Sequence, residues 1–293
     1  MFQGSMTALV TPMQGEESRI DFLSLTHLVD WQIQQGTHAL VINGTTGESA
    51  TLNLREQHEL IEYVIKIVNH RIPVIAGTYA NSTYETIERT RVAMELGADA
   101  CLIMTPAYIK PTQEGLYLHY KAIAEAVPIP QILYNVPSRT ACDLLPATVA
   151  RLATLSNIIG IKEATGSMQR AQEIRELVKH KLDIYSGDDA TARELILAGA
   201  QGVISVTANI APKAMHDMVE AALVGNKELA LDLDRPLQAL HQQLFLETNP
   251  IPVKWALQQM GYIKPGIRMP LTSLSEGYQP LVSLALHQAN INY

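Results

Sequence analysis

The chain has 293 residues, of which 47% are hydrophobic and 17% are charged, and its formal net charge at pH 7 is −7. This length allows one large α/β domain or two smaller ones, and the hydrophobic fraction is sufficient for a sizeable core. No cluster of lysine and arginine forms a basic face, which argues against a nucleic-acid-binding protein. A structured, acidic protein that handles small molecules is the class that remains.

The two cysteines and the N-terminal residues indicate the cellular compartment. We expect Cys101 and Cys142 to be free, buried thiols of a reducing cytosol rather than a disulfide. The N-terminal stretch MFQGSMTALVTP lacks the charged region and apolar region of a secretory signal. No apolar run approaches the roughly 18 residues that a membrane span requires. The sequence therefore predicts a cytoplasmic protein with no membrane segment.

Short apolar runs alternate with stretches of helical periodicity along most of the chain. Strands are predicted at 5–10, 38–42, 72–77, 100–104, 130–135, 158–162, 182–186 and 202–206. Helices are predicted at 22–35, 54–69, 83–96, 114–126, 146–154, 168–180, 190–198 and 212–224. Alternation of strand and helix predicts a parallel sheet, and eight repeats within about 220 residues favour a closed (β/α)8 barrel.

An open, doubly wound sheet is the main alternative fold. The first predicted strand is followed by TPMQGEESRID, which lacks the G-x-G-x-x-G of a dinucleotide site, and the count of eight strands favours closure.

The predicted strands stop after residue 224, where a C-terminal helical appendage begins. Its helices are predicted at 226–247, 252–260 and 278–289, with Pro236 bending the first. TNPIPVKW, residues 248–255, is expected to be a proline-fixed connector between two of them. We therefore divide the chain into a barrel catalytic domain, residues 1–224, and a C-terminal helical region, residues 225–293.

Three predicted helices have capping signals at their N-termini. Asp21 precedes the first helix. Asn53 with Glu56, and Ser82 with Glu85, have the spacing of a capping box.

A lysine stands in the sixth predicted strand, IIGIK. In barrel enzymes the reacting groups lie at the C-terminal ends of the strands and in the loops that follow. Lys162 is the only one of ten lysines placed in a predicted strand. Burial disfavours the charged form of an amine, and a neutral amine can attack a carbonyl to form a Schiff base. The alternative is a structural ion pair with Glu163 or with a neighbouring strand.

Three further segments at the same end of the predicted barrel carry polar groups. The loop GTTGE, residues 44–48, offers N–H groups that can hold a carboxylate or phosphate, although an ordinary turn is the alternative. Tyr134 could act as a general acid and base, or could only fill the barrel mouth. Arg139 suits bidentate binding of a carboxylate, or is a solvated surface arginine.

Motifs for several other chemistries are missing. No G-K-[ST] follows the GTTGE loop, the histidines are scattered with no H-x-H on the first strand, and no G-x-S-x-G occurs. Asp188 and Asp189 are more typical of a helix cap than of a cation site. We therefore expect no metal and no cofactor.

From GSMTALVTP through GTTGES, YNVPSRT, GIKEATG and GVISVTAN to NPIPVKW, the chain resembles the dihydrodipicolinate synthase family of pyruvate-dependent class I aldolases, which includes N-acetylneuraminate lyase. GTTGES is shared loosely across these enzymes, whereas YNVPSRT together with GIKEATG is much more specific. The resemblance implies a lyase of lysine and diaminopimelate biosynthesis. Such a lyase condenses pyruvate with L-aspartate 4-semialdehyde to 4-hydroxy-2,3,4,5-tetrahydrodipicolinate, without a cofactor.

The resemblance also implies a role for each candidate residue. Lys162 matches the lysine that forms an imine with pyruvate, and Tyr134 matches the tyrosine of a proton relay. Thr45 and Thr46 match the loop that holds the pyruvate carboxylate, and Thr45 joins the relay. Tyr108 matches a tyrosine that completes the relay from the neighbouring subunit. A homotetramer built as a dimer of dimers is implied as well.

Three other positions match residues that bind substrate in the family. Arg139 matches the arginine that holds the carboxylate of the semialdehyde. Sialic acid lyases lack the PSR turn that carries it, so the sequence favours a synthase. Gly187 and Ile204 match positions whose backbone carbonyls line the pocket.

A possible vestigial site for the effector L-lysine departs from the pattern of feedback-inhibited members. The positions retained are Ser49, Ala50, Asn81 and Glu85. Leu54 and Gln57 stand where those enzymes have histidines, and Ala107 stands where they have a tyrosine. We expect weak inhibition by L-lysine, or none. The retention of Glu85 says little, because it also fits the capping box of Ser82.

Two other functions are kept as alternatives. One is a different pyruvate-dependent aldolase or lyase that acts on a sugar acid, such as N-acetylneuraminate lyase. The other is a non-catalytic sensor that binds a keto acid, which would require Lys162 to be inert. The complete set of matching residues argues against the sensor.

Overall fold

In the computed structural model, which describes residues 2–179 and 181–291, eight parallel strands close into a barrel. The strands are β1 (Gly4–Ala8), β2 (Ala39–Ile42), β3 (Val74–Gly77), β4 (Ala100–Met104), β5 (Gln131–Asn135), β6 (Ile158–Glu163), β7 (Asp183–Ser186) and β8 (Gly202–Ser205). The barrel closes because β1 pairs with both β2 and β8. The predicted (β/α)8 fold is confirmed, and the open sheet is wrong.

The helices follow the predicted positions closely. They are α1 (Phe22–Gln34), α2 (Leu54–Val68), α3 (Thr83–Glu95), α4 (Gln113–Ala126), α5 (Pro137–Thr140), α6 (Pro146–Leu152), α7 (Met168–Val178), α8 (Asp189–Leu197), α9 (Pro212–Leu223), α10 (Lys227–Asp234), α11 (Gln238–Gln243), α12 (Ile251–Gln259) and α13 (Gln279–Gln288). The predicted end of α7, residue 180, lies outside the described residues.

The C-terminal region differs from the prediction at one place. The helix predicted at 226–247 is divided into α10 and α11 by a 3₁₀ turn, Arg235–Leu237. Pro236 lies in this turn, and its missing N–H accounts for the break. Contacts of α10 with α8 and α9, and of α11 with α8, attach the region to the barrel. We keep the boundary at residue 224 as a proposal; it falls between α9 and α10.

Side chains of the strands alternate between two apolar layers. Strand residues that point inward, such as Met6, Ile75, Ile132 and Tyr185, fill the barrel. Residues that point outward, such as Ile161 on β6, pack in the layer that also contains the buried faces of the helices. Lys162, the next residue after Ile161, therefore belongs to the inward-facing set.

The capping predictions have different outcomes. Asn53 accepts a hydrogen bond from the N–H of Glu56, whose carboxylate accepts one from the N–H of Asn53, so this capping box is confirmed. The carboxylate of Asp21 caps α1, also as predicted.

The capping box predicted for Ser82 and Glu85 is wrong. The Ser82 side chain makes no capping hydrogen bond. Glu85 instead forms an ion pair with Arg89, one helical turn further along α3. Residues four apart face each other on a helix, so the guanidinium competes with the backbone for this carboxylate.

The remaining general expectations concern the thiols and the membrane. Cys101 and Cys142 are both buried and free, as predicted, and burial raises the pKa of the Cys101 thiol to about 12. Within residues 2–179 and 181–291, no helix has the length and apolar composition to cross a membrane.

Candidate active site

A cavity of about 520 Å³ opens where the strands end at their C-termini. Six of the predicted catalytic and substrate-binding residues contribute to its wall: Thr45, Thr46, Tyr134, Arg139, Lys162 and Gly187. They come from the ends of β5 and β6 and from the segments that follow β2, β5 and β7. The barrel thus brings together residues that are up to about 140 positions apart in the sequence, at the end where barrel enzymes carry their chemistry.

Lys162 is buried in the wall of this cavity, with 6% of the residue exposed. It is directly beside Tyr134 in the register of β5 and β6, and its Nζ lies 4.5 Å from the centroid of the Tyr134 ring. Among the described residues, no carboxylate lies within ion-pair distance of Lys162. The Glu163 carboxylate instead accepts hydrogen bonds from the Asn135 side chain at 3.1 Å and from the Thr165 N–H at 2.8 Å.

These contacts exclude the structural ion pair as an explanation for Lys162. Adjacent residues of a strand point to opposite faces, so Glu163 is directed away from the lysine. What remains is an amine held against an aromatic ring, beside a cavity large enough to hold a small substrate. Such an amine is arranged for attack on a carbonyl carbon.

Gly187 leaves the space that the Lys162 side chain uses. A Cβ atom at this position would lie 2.6 Å from the Cβ of Ala164 and 3.0 Å from the Cε of Lys162. The two neighbouring aspartates have backbone partners. Asp188 caps α8 through the Thr191 N–H, as predicted, whereas Asp189 accepts hydrogen bonds from the N–H groups of Val206 and Thr207 at the end of β8.

The GTTGE loop is a compact turn with its hydroxyls at the cavity. The Glu48 N–H donates to the Thr45 carbonyl at 3.1 Å, and the Thr11 hydroxyl donates to the Gly47 carbonyl at 2.7 Å. The Thr46 hydroxyl oxygen accepts a hydrogen bond from the Asn249 side chain at 2.9 Å. Its own proton can therefore be donated to an acceptor in the cavity, such as a carboxylate.

Arg139 is presented by α5, a one-turn helix that sequence reasoning missed. Proline at the first position of a helix is pre-organised for that conformation, and Pro137 occupies it here. The Arg139 guanidinium donates long hydrogen bonds to the Thr248 hydroxyl at 3.4 Å and the Asn249 carbonyl at 3.3 Å. No carboxylate within the described part of the chain pairs with it, so its charge is available to a ligand.

Sequence reasoning also missed the contribution of the C-terminal region to this cavity. Phe245, Thr248 and Asn249 all form part of the wall. The sequence predicts only a connector for TNPIPVKW, the stretch that contains Thr248 and Asn249. Its prolines were a usable signal, because they hold the chain rigidly where it passes the barrel mouth.

Two predicted residues are not in the wall of this cavity. Tyr108 is 87% exposed, has a left-handed backbone (φ 71°) and does not line the cavity of its own chain. Ile204 is buried in the inner layer of the barrel, and Val206 lines the cavity instead. The roles assigned to Tyr108 and Ile204 stay predictions.

A second cavity, of about 700 Å³, adjoins the first and contains the residues of the predicted effector site. Its wall includes Ser49, Ala50, Asn81 and Glu85, and it shares Thr45, Arg139, Thr248 and Asn249 with the first cavity. Gln57 donates to the carbonyls of Ser49 and Leu52, whereas Leu54 is half exposed and does not contribute.

Comparison with known proteins agrees with this geometry. Residues 1–289 match the Dihydrodipicolinate synthetase family. The 4-hydroxy-tetrahydrodipicolinate synthases of Thioalkalivibrio sulfidiphilus and Nitrosococcus oceani are 60% and 59% identical to the chain, with 99% of each chain covered. The structure of the chloride-inhibited dihydrodipicolinate synthase from Acinetobacter baumannii, complexed with pyruvate, is 53% identical with a TM-score of 0.98, and the two chains cover each other completely. The chain therefore belongs to the dihydrodipicolinate synthetase family.

Proposed function

We propose that this protein condenses pyruvate with L-aspartate 4-semialdehyde to 4-hydroxy-2,3,4,5-tetrahydrodipicolinate, the reaction of a 4-hydroxy-tetrahydrodipicolinate synthase. The observation that carries the proposal is the buried Lys162 amine, which has no carboxylate partner in the described chain and faces the Tyr134 ring in the cavity. Relatives of this name, about 60% identical over the full length, support the same activity.

The reaction begins with attack of the Lys162 amine on the keto carbon of pyruvate. Loss of water gives a protonated imine, which serves as an electron sink and allows a methyl proton to leave. The Tyr134 hydroxyl, at the same rim of the barrel, is placed to carry protons in this step, together with Thr45. The Thr46 hydroxyl, whose oxygen already accepts from Asn249, donates to the pyruvate carboxylate.

The enamine then attacks the aldehyde carbon of the second substrate. Arg139 holds the carboxylate of this substrate at the cavity mouth, where its planar guanidinium can form two parallel hydrogen bonds. The amino group of the semialdehyde displaces Lys162 from the imine and closes the six-membered ring, which regenerates the free amine. One water is released overall, and no metal or cofactor is required. We propose also that the carbonyls of Gly187 and Ile204 line the pocket.

The assembly and the location of the protein are further parts of the proposal. Tyr108 would complete the proton relay of a neighbouring subunit, since it is exposed and does not line its own cavity. This requires at least a tight dimer, and we propose a cytoplasmic homotetramer, a dimer of dimers.

Trapping of the imine tests the function directly. The protein is incubated with pyruvate, reduced with borohydride and digested, and the adduct is located by mass spectrometry. We expect an adduct on Lys162 alone, with none on the Lys162→Arg variant, since a guanidinium forms no such imine. An adduct scattered over surface lysines would contradict the proposal.

The aldehyde that the protein accepts distinguishes the synthase from a sugar-acid lyase. Turnover with L-aspartate 4-semialdehyde, and none with N-acetylmannosamine, is expected of the synthase. The reverse preference would identify a sugar-acid lyase. A chelator should leave turnover unchanged, because no step uses a metal.

A further inference from the structure

A buried ion pair lies behind the GTTGE loop, and none of the steps above uses it. Lys254, on α12, pairs with the carboxylate of Glu48, the last residue of the loop. The exposed fractions of the two side chains are 5% and 0%. Burial lowers the pKa of Lys254 and the adjacent Glu48 carboxylate opposes this shift, whereas the Arg268 charge also lowers it.

Both oxygens of the Glu48 carboxylate have donors from the C-terminal region. One oxygen pairs with Lys254, and the other accepts a hydrogen bond from the Arg268 N–H at 3.1 Å. The Arg268 guanidinium is fixed in turn by two hydrogen bonds to Glu56, at 2.6 and 2.8 Å, and by one to the Thr51 carbonyl at 3.1 Å. The C-terminal region therefore anchors the GTTGE loop through the Glu48 carboxylate.

The conformation of Glu48 explains why an anchor is needed. Its φ of 57° is in the left-handed region, which a residue with a Cβ rarely adopts unless its surroundings hold it there. The Glu48 N–H donates to the Thr45 carbonyl, so relaxation of Glu48 towards ordinary backbone angles would displace Thr45 and its neighbour Thr46.

Stability alone does not account for an ion pair at this place. Two buried charges commonly contribute no more to stability than a well-packed apolar pair of the same volume, because desolvation offsets their attraction. The ion pair instead fixes the orientation of the Glu48 carboxylate, because a carboxylate held by two fixed donors has one orientation.

We propose that Lys254 is a positioning residue for the pyruvate-carboxylate site, acting through Glu48 on Thr45 and Thr46. The inference rests on the proposed function, because it assigns the loop to that substrate. Lys254, which does not line the cavity, thus sets the affinity for pyruvate without touching it.

Four variants test this inference: Lys254→Met, Lys254→Arg, the double variant Glu48→Met with Lys254→Met, and Lys264→Met as a matched control. Lys264 is another lysine of the C-terminal region. It pairs with Asp21, and its own side chain is exposed to solvent. For each variant, the pyruvate concentration that half-saturates the borohydride-trapped Lys162 adduct is measured, together with the melting temperature and the KM for each substrate.

We expect Lys254→Met to raise the half-saturating pyruvate concentration ~10-fold or more, because small displacements of binding groups have effects of this order. The KM for aspartate semialdehyde should change less than about twofold, since Arg139 is held by other residues, and Lys254→Arg should restore part of the loss. The double variant should recover the melting temperature while its pyruvate dependence stays raised. Lys264→Met should leave the pyruvate dependence at the wild-type value.

Recovery of both properties in the double variant would overturn the inference, because the pair would then be purely structural. An unshifted pyruvate dependence in Lys254→Met would overturn it as well. If Lys254→Met does not fold because the buried Glu48 carboxylate has lost the Lys254 charge, the double variant decides. Absence of any Lys162 adduct in the wild type would contradict the proposed function instead.

Discussion

At the scale of single residues, the missing side chain of Gly187 leaves room in the active site for Lys162 and Ala164. A methyl group on Gly187 would lie 3.0 Å from the Cε of Lys162 and 2.6 Å from the Cβ of Ala164. Gly187→Ala should therefore displace the lysine and slow formation of the pyruvate imine ~10-fold or more. The measurement is the time course of borohydride trapping.

The matched control is Gly277→Ala. A Cβ there meets nothing within 4 Å, and the position has no left-handed backbone. The control should form the imine at the wild-type rate. Equal rates in both variants would show that Lys162 does not depend on the space at Gly187.

The burial of Lys162 in a barrel strand could be predicted from sequence, but its surroundings could be predicted only in part. Lys162 is conspicuous because a lysine is costly in a buried strand. That Tyr134 lies beside it depends on the register of β5 and β6, which is a tertiary property. Thr248 and Asn249 reach the cavity from more than 100 residues beyond Arg139. The prolines beside them indicate a rigid segment, but no local pattern indicates that this segment contacts Arg139.

At the scale of secondary structure elements, the two predicted capping boxes make a matched pair. Asn53→Ala removes the side-chain oxygen that accepts the Glu56 N–H at the start of α2, whereas the backbone N–H of residue 53 can still donate to Glu56, and the free energy of unfolding should fall by about 1 kcal/mol. Ser82→Ala removes no capping bond from α3 and should have a much smaller effect. Urea unfolding of both variants checks the difference, and equal destabilisation would contradict it.

Element positions were predicted well where periodicity is long and missed where elements are very short. The ends of β4, predicted at 100–104, agree with Ala100–Met104, because apolar runs of a buried parallel strand are continuous. The antiparallel pair Met13–Gln14 and Arg19–Ile20, with two residues in each strand, was not predicted. Two residues carry no detectable periodicity, and the same holds for the single turn of α5.

At the scale of the whole molecule, we predict that Tyr108 acts in the active site of a neighbouring subunit. Tyr108→Phe should reduce turnover while leaving imine formation largely intact, since the phenol is proposed to move protons after the imine has formed. Steady-state rates and borohydride trapping measure the two effects separately. Unchanged turnover would remove Tyr108 from the relay.

Mixed oligomers distinguish action across the interface from action within one chain. When Tyr108→Phe and Lys162→Ala subunits are co-expressed and the mixed species is isolated, each mixed dimer contains one site with both side chains intact. The activity of the mixed dimer should then exceed the summed activities of the Tyr108→Phe and Lys162→Ala parent proteins. It should approach about half of the wild-type activity per dimer, as a shared two-fold interface requires. Activity no greater than that sum would place Tyr108 in its own site.

The second cavity contains the predicted effector site for L-lysine, whose carboxylate, Glu85, is already paired. Arg89 forms an ion pair with Glu85, and it donates further hydrogen bonds to the Tyr79 carbonyl at 3.0 Å and the Gln57 side chain at 3.2 Å. Burial and the Arg89 charge also hold the pKa of the adjacent His58 below its usual value. An incoming ammonium group would have to compete with this guanidinium.

We therefore predict weak or absent inhibition by L-lysine, and a gain of inhibition in Arg89→Leu. Removal of the guanidinium frees the Glu85 carboxylate for a ligand, and a charge-assisted hydrogen bond of this kind corresponds to ~10-fold in affinity. Arg91→Leu is the control, because Arg91 pairs with Glu88 on the same helix and does not line the cavity. Steady-state rates at increasing L-lysine are compared for the three proteins. Strong inhibition of the wild type at low L-lysine would show that the cavity binds the effector despite Arg89. If Arg89→Leu is inhibited no more strongly than the wild type, the loss of sensitivity lies with Leu54, Gln57 and Ala107 instead.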